Sequence, residues 1–218
     1  MVKKIQILLV TCILISGCCR ENCAGTYIIH GTVSSNVDGS ACVGFEIELK
    51  EQVLSGGVLN GFYETAATTT TDASGYYHIE FPRKNAISYQ IEIEHEGWFP
   101  ILEEIDPEQF SPDIPLDFDI ITTPKADLEV VVHNAPPAFD IDKMRMRFLR
   151  SFEQYSTCDT EWRVFHGAEI DSTWFCIIPG DVWMPYLTID QTDPENEITT
   201  IDSVYCESFS TTTITVEY

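Results

Sequence analysis

Apolar and polar side chains alternate through most of this chain, and this period of two constrains its fold more than any other feature. The alternation is clear over residues 43–49, 77–81 and 87–93. A strand points successive side chains to opposite faces, so each such segment buries one face and exposes the other. The pattern predicts an all-β chain, with at most a short helical turn at residues 106–110.

Turn-forming residues separate these segments at short and regular intervals, as at Asp38-Gly39, at residues 72–75 and at Glu96-Gly97. Short strands with such spacing are typical of antiparallel sandwiches or barrels. The alternation is interrupted at 122–125 and then resumes. We therefore expect two antiparallel β-sandwich domains, at residues 27–121 and 125–218.

The first residues have the layout of an export signal. Lys3 and Lys4 precede an apolar run that ends at residue 15, and this run is too short for a stable transmembrane span. The segment ISGC at 15–18 resembles the lipobox of bacterial lipoproteins. That resemblance implies cleavage after residue 17 and lipidation of Cys18, with residues 18–26 as a tether. An ordinary secretory signal with a coincidental cysteine is the alternative.

Lipidation of Cys18 would anchor the protein to the cell outer membrane, because two or more acyl chains bind a bilayer stably. The sequence leaves open whether the protein then faces the periplasm or the cell surface. The membrane, through this anchor, is therefore one expected partner, and a protein or a glycan is the other.

Acidic residues outnumber basic ones by 35 to 12, which gives a formal net charge of −23. Such a surface repels nucleic acid, so we expect no nucleic-acid partner. One explanation of the acidity is that a high net charge keeps the protein soluble. Calcium binding by Asp140 with Asp142, or by Asp190 with Asp193, is the alternative, although no twelve-residue calcium loop is present. We expect no cofactor and no metal site.

The chain has eight cysteines, of which Cys12 would leave with the signal and Cys18 would carry the lipid. Six remain: Cys19, Cys23, Cys42, Cys158, Cys176 and Cys206. An oxidising compartment permits disulfides, but the sequence leaves all 15 pairings open. Three of the six lie in the second half of the chain, so we expect at least one bridge there.

The segment TTTDASGYYHI at 69–79 follows HGTV at 30–33 and CVGFEIEL at 42–49. Together they resemble the carboxypeptidase regulatory-like family, whose domains are transthyretin-like (prealbumin-like) β-sandwiches. The resemblance covers about residues 27–121 and implies an appended module without catalytic residues; related carbohydrate-binding-like sandwiches sometimes bind glycans. We interpret Asp72 and Gly75 as structural turn residues, an acceptor of backbone N–H groups and a permissive backbone position.

The second half has a weaker resemblance, in its last strands, to small lipoprotein sandwiches of Bacteroidota, which implies nothing about a ligand. Its notable feature is a group of four cations within eight residues: Lys143, Arg145, Arg147 and Arg150. Alternation places the first three on the strand face opposite two methionines. They form either a solvated face paired with carboxylates of the chain, or a contact for an acidic glycan or partner through charge-assisted hydrogen bonds.

Catalytic motifs are not evident. The sequence HEGW at 95–98 does not continue as a zinc-peptidase helix, and no nucleophile elbow or phosphate loop occurs. Cys176 as a nucleophile with His133 or His166 is less favoured than Cys176 as half of a disulfide. Exposed tryptophans could stack on sugars, and Trp98, which follows a turn, is the best candidate, although packing is its more common role.

The sequence therefore predicts a non-enzymatic cell-envelope lipoprotein that serves as a binding or scaffolding module. One alternative is a glycan-binding accessory protein of a polysaccharide-uptake system. Another is a structural subunit of a surface assembly or fimbria, and an enzyme ranks last.

Overall fold

The computed structural model describes residues 25–55, 58–59, 61–112, 114–152, 155–193 and 195–218. The predicted signal, Cys18, Cys19 and Cys23 lie outside the described residues, as does most of the predicted tether. The regular elements that the structure describes are strands, together with a 3₁₀ turn at Pro107–Gln109. No helix in this part is both long and apolar enough to cross a bilayer.

The first sandwich occupies residues 26–122. Its strands are β1 (Thr26–Ser35), β2 (Glu46–Ser55), β3 (Val58–Leu59), β4 (Glu64–Thr70), β5 (Tyr76–Pro82), β6 (Ala86–Ile93), β7 (Ile101–Ile105), β8 (Leu116–Asp117) and β9 (Ile120–Thr122). In one sheet, β1 lies between β5 and the short strands β8 and β9. The other sheet has the order β4-β2-β6-β7, with β3 paired to the end of β2.

Four aromatic rings fill the space between the sheets of the first sandwich. Tyr27, Phe81, Tyr89 and Phe110 contact one another with ring centroids 5.0–6.4 Å apart. The 3₁₀ turn just before Phe110 is capped by Asp106, whose Oδ1 accepts a hydrogen bond from the backbone N–H of Glu108 at 2.9 Å. This cap agrees with the helical turn that the sequence predicted, and it brings Phe110 into the core.

The second sandwich occupies residues 125–217. Its strands are β10 (Lys125–His133), β11 (Lys143–Phe148), β12 (Arg163–His166), β13 (Asp171–Pro179), β14 (Val182–Asp190), β15 (Ile198–Cys206) and β16 (Thr211–Glu217). They form a sheet of order β13-β10-β16 and a sheet of order β12-β11-β14-β15. Leu128, Val130 and Val132 of β10 pack there with Met144 and Met146 of β11.

The prediction of an all-β chain built of sandwiches is confirmed, and most strand pairs are antiparallel. Three pairs are parallel: β1 with β8, β1 with β9, and β10 with β16. The sequence did not predict them, because side chains alternate in the same way in both arrangements. Whether residues 27–121 and 125–218 fold as independent domains stays a prediction.

The turn at residues 72–75 shows why its residue types are required. The Asp72 Oδ1 accepts hydrogen bonds from the Ser74 hydroxyl at 2.7 Å and from the backbone N–H groups of Ser74 and Tyr76. Gly75 has a φ of +75°, and a Cβ there would lie 2.7 Å from the carbonyl oxygen of Val33. A side chain at this position would be both strained and obstructed.

The segment at 122–125 is hydrogen-bonded alternately to the two sandwiches. The carbonyl of Thr123 accepts from the N–H of Phe99 at 2.9 Å, and the carbonyl of Pro124 accepts from the N–H of Gly180 at 2.8 Å. The N–H of Lys125 donates to the carbonyl of Gly97 at 2.7 Å. The connection is therefore held by backbone groups on both sides.

Cys158 and Cys176 form a disulfide, which answers part of the pairing that the sequence left open. Cys42 and Cys206, one in each sandwich, are buried and free. Burial raises the pKa of the Cys42 thiol to about 11, so this thiol is protonated at neutral pH.

Candidate contact face

The cation cluster lies on strand β11, in the middle of an outer sheet surface. Met144, Met146 and Phe148 are buried, and Lys143, Arg145 and Arg147 point to the opposite face, as the alternation predicted. Because β11 is flanked by β12 and β14, these cations are surrounded by the outward side chains of neighbouring strands.

Strand register identifies those neighbours. Arg145 lies opposite Val164 on β12 and Ile189 on β14, and Arg147 lies opposite Leu187. We call the outward positions of this sheet the basic face: Lys143, Arg145, Arg147, Val164, His166, Trp183, Pro185, Leu187, Ile189, Thr199, Ile201, Ser203 and Tyr205. No position of the basic face holds Asp or Glu, although the chain has 35 of them.

Trp162, just before β12, covers the two central arginines. The guanidinium carbons of Arg145 and Arg147 lie 5.3 and 4.8 Å from its ring centroid. Such cation–π contacts stabilise by about 0.5–1 kcal/mol at exposed sites, and they orient the guanidinium groups. Arg145 is also 3.8 Å from the carboxylate of Glu197, whereas Arg147 forms no ion pair within the described residues.

Two further aromatic side chains are exposed on the basic face. Trp183 is 59% exposed and Tyr205 is 42% exposed, with ring centroids 5.5 Å apart and planes inclined by 56°. Sequence reasoning missed this pair. Strand β14 has apolar residues on both faces, so alternation alone cannot tell which of them points outward.

The structure separates the other predicted contact residues from this cluster. Arg150 follows β11, and its guanidinium carbon lies 4.3 Å from the ring centroid of Phe152. Trp98 packs at the junction of the two sandwiches, with ring centroids 5.3 Å from both Phe45 and Phe209. These contacts show Trp98 in packing, the more common of the two roles considered for it. The structure does not join it to the arginines.

A surface of opposite charge lies on the first sandwich. Glu46, Glu48, Glu92 and Glu94 line a shallow depression of about 210 Å³ on the outer side of β2 and β6, which we call the acidic depression. The ammonium of Lys50 contacts the carboxylates of Glu92 and of Glu48, the latter at 3.3 Å. A hydrogen bond from Thr65 lowers the pKa of Glu48, so this carboxyl group is ionised at neutral pH. The sequence signal for this depression was the regular spacing of glutamates in two strands that prove to be neighbours.

The aspartates considered for calcium binding and the cysteine considered as a nucleophile have structural roles. Asp142 is buried and accepts hydrogen bonds from the side-chain amide of Asn134 at 3.1 Å and from the backbone N–H of Phe139 at 2.7 Å. Asp190 accepts from the backbone and hydroxyl of Thr192. Among residues with a described position, no three His, Cys, Asp or Glu side chains form a group that could hold a metal ion. The favoured interpretation of Cys176 as half of a disulfide is confirmed, and its sulfur is therefore not a free thiol.

Two open clefts flank the junction of the sandwiches. One, of about 290 Å³, is lined by residues that include Phe99, Ile121 and Tyr155. The other, of about 460 Å³, is lined by residues that include His95, Trp98 and Lys125. Both are lined by residues that also make the junction.

Comparison with known proteins gives no family model that matches and no curated protein that matches. Among solved structures, the chain is similar to the Bacillus anthracis TIE protein, with 9% identity and a TM-score of 0.37 over 88% of this chain. The chain spans 34% of the length of that structure. Shaft pilin SpaA from Lactobacillus rhamnosus GG is 9% identical, with a TM-score of 0.35, over 88% of this chain and 97% of the pilin. The 3-chlorocatechol 1,2-dioxygenase from Rhodococcus opacus 1CP is 12% identical, with a TM-score of 0.36, over 47% of this chain and 61% of the enzyme.

Proposed function

We propose that this chain is a non-catalytic binding module of the bacterial cell envelope that docks an anionic protein surface on its basic face. The observation that carries the proposal is the absence of Asp and Glu from the strand positions of that face in a chain of net charge −23. The carboxylates of Glu197 and Asp181 reach Arg145 and Tyr205 only from the ends of the strands. Carboxylates on a surface that binds an acidic partner would repel that partner. Their absence from one face of so acidic a chain is therefore what such a contact surface requires.

The side chains of the basic face are those that contribute most to protein interfaces. Arginine, tryptophan and tyrosine are enriched in the residues that dominate binding energy, and Leu187, Ile189 and Ile201 add apolar area around them. Arg147 is in contact with Trp162 and forms no ion pair within the described residues, so its charge is not neutralised by a neighbouring carboxylate. The face thus combines an oriented charge with an apolar surround.

An acidic protein fits this face better than a glycan does. Sugar rings stack on flat aromatic platforms, whereas Trp183 and Tyr205 are inclined to each other by 56°. The glycan-binding alternative would use the exposed Trp183, 59% exposed, together with the cations of the same face. An acidic polysaccharide is therefore included as a probe in the binding test.

The position in the cell completes the proposal. Lipidation of Cys18 attaches the chain to the outer membrane, and residues 18–26 tether the first sandwich, a transthyretin-like module of the carboxypeptidase regulatory-like type in a lipoprotein of Bacteroidota type. The turn geometry of Asp72 and Gly75 agrees with the motif of that family. Cys18→Ala would move the protein from the detergent phase to the aqueous phase in Triton X-114 partition, and unchanged partition would contradict the anchor.

The binding test uses fluorescently labelled poly-L-glutamate as the acidic polypeptide and polygalacturonate as the acidic glycan, at 0.15 M salt. Arg147→Ala should weaken binding of poly-L-glutamate by at least about tenfold, since one charge-assisted contact contributes about 1.5–3 kcal/mol. Arg83→Ala is the matched control, because Arg83 stacks on Tyr27 in the first sandwich. Equal affinities for the two variants would refute the proposal, and tighter binding of polygalacturonate would favour the glycan alternative.

A further inference from the structure

We infer that the anionic partner of the basic face is a second copy of this chain, which presents its acidic depression. The inference rests on the proposed function and names the partner. Two complementary surfaces, one on each sandwich of the same molecule, carry it.

The acidic depression has the charge and the shape that the basic face requires. Glu48 and Glu92 lie opposite each other on β2 and β6, and Glu46 and Glu94 complete the lining. Within the described residues, Lys50 is the one cation paired with any of these carboxylates, and it contacts Glu48 and Glu92, so negative charge remains in excess. Leu102, which lies opposite Glu92 on β7, is 64% exposed and adds apolar area beside the depression.

The basic face has a corresponding excess of positive charge. Lys143 and Arg147 form no ion pairs within the described residues, and the contact of Arg145 with Glu197 is long, at 3.8 Å. An arginine that enters between glutamates can form paired N–H···O bonds with a carboxylate, the geometry for which its planar group is suited. Arg147 on the basic face and the four glutamates in the acidic depression meet this requirement.

A second acidic surface of the chain fits less well. The outer side of β10 and its neighbours carries Asp127, Glu129, Asp171 and Glu217. Lys125 lies on the same side of β10 as Asp127, and Glu129 accepts a hydrogen bond from Thr213 at 2.8 Å. These four carboxylates do not converge in a depression in the described structure, whereas those of the first sandwich do. They provide a matched control for the experiment.

The geometry has a consequence for assembly. Because the two surfaces differ and lie on different sandwiches, the contact is heterologous. One copy of a bound pair keeps its acidic depression free and the other keeps its basic face free, so each end can bind a further copy. The net charge of −23 opposes association at long range, but at 0.15 M salt the Debye length is about 8 Å, so facing charges dominate. Salt at about 1 M shortens this length to about 3 Å and should separate the copies.

Sedimentation equilibrium of the full chain in a density-matched nonionic detergent tests the inference. Wild-type protein should self-associate at 0.15 M salt and be monomeric at 1 M. Lys143→Glu with Arg147→Glu should weaken association at least tenfold, and so should Glu46→Arg with Glu94→Arg. An equimolar mixture of the two variants should recover dimers, because each retains the surface that the other has lost. Asp127→Arg with Glu129→Arg has the same change in charge as the second variant and should associate as wild type.

Circular dichroism confirms that each variant is folded, and recovery in the mixture is itself evidence of folding. A monomeric wild type at 0.15 M salt, or variants that alone associate as wild type, would overturn the second-copy inference. Loss of association in the Asp127 and Glu129 variant alone would also overturn it. A monomeric wild type that still binds poly-L-glutamate through Arg147 would leave the proposed function intact, so the two failures are distinguishable.

Discussion

The two sandwiches share one plan, two sheets packed face to face, but they stabilise it differently. The first fills its centre with interlocked rings of Tyr27, Phe81, Tyr89 and Phe110, and none of its described residues is in a disulfide. The second packs aliphatic and methionine side chains and adds the bond between Cys158 and Cys176. Paired aromatic rings have preferred relative geometries, whereas methionine side chains are flexible and adapt to the space they fill.

The location of the disulfide explains why the second sandwich needs it. A long connection joins β11 to β12, its described residues form no strand, and Cys158 lies within it. Its partner Cys176 is on β13 in the facing sheet, so the bond ties the connection to the sandwich. The same connection supplies Trp162, which covers Arg145 and Arg147. The covalent bond therefore supports the basic face as well as the core.

Among substitutions that test this difference between the sandwiches, the largest loss of stability is expected in the aromatic core of the first. Phe81→Ala should lower the free energy of unfolding of the first sandwich by about 3–5 kcal/mol, because a buried ring is lost and its neighbours cannot collapse into the space. Hydrogen exchange followed by mass spectrometry, read separately on peptides of each sandwich, measures it. A loss below 1 kcal/mol would mean that the rings do not carry the stability of this sandwich.

Removal of the disulfide should have the next largest effect, on the other sandwich. Cys158→Ser with Cys176→Ser frees a loop with a sequence separation of 18, and a closed loop of this size stabilises by about 3 kcal/mol. The same exchange experiment should show the loss in the second sandwich, with little change in the first. The variant should also bind poly-L-glutamate more weakly, because the segment that carries Trp162 is no longer tied down. Unchanged binding would show that the disulfide does not support the basic face.

Substitutions in two turns of the first sandwich give a smaller effect, and one turn serves as the control for the other. Gly75→Ala should cost about 2–3 kcal/mol, since it combines a positive φ with an approach of 2.7 Å to a carbonyl oxygen. Gly39 also has a positive φ, of +70°, but nothing within 4 Å of a Cβ. Gly39→Ala should therefore cost about 1 kcal/mol, the backbone strain alone. Equal thermal shifts for the two variants would show that the close approach is relieved by small movements.

The sequence predicted which side of each strand is buried, but not which strands are neighbours or which tryptophans pack. The reasons are physical. The period of two predicted the buried face of β11 and hence the outward side of Lys143, Arg145 and Arg147. Strand order is not encoded in that period, so the meeting of Glu48 with Glu92 could not be predicted. Trp98 shows a further limit, because its position after a turn is compatible with exposure, whereas its contacts come from both sandwiches.

The smallest expected effect is on stability at low pH, and it is compared between one aspartate in a turn of each sandwich. Hydrogen bonds from the side chain and backbone of Ser74 hold the pKa of Asp72 below its ordinary value, and a hydrogen bond from the Ser208 hydroxyl, followed by one from Tyr205, does the same for Asp181. A carboxyl group with a lowered folded pKa contributes stability that is present above the unfolded pKa, about 3.9, and is lost as the pH falls through the folded pKa. Asp72→Asn should therefore flatten the acid limb of the stability profile of the first sandwich alone, and Asp181→Asn that of the second alone. If either variant flattened both profiles, the two sandwiches would unfold as one unit, and the hydrogen bonds of Thr123, Pro124 and Lys125 across the junction would be what joins them.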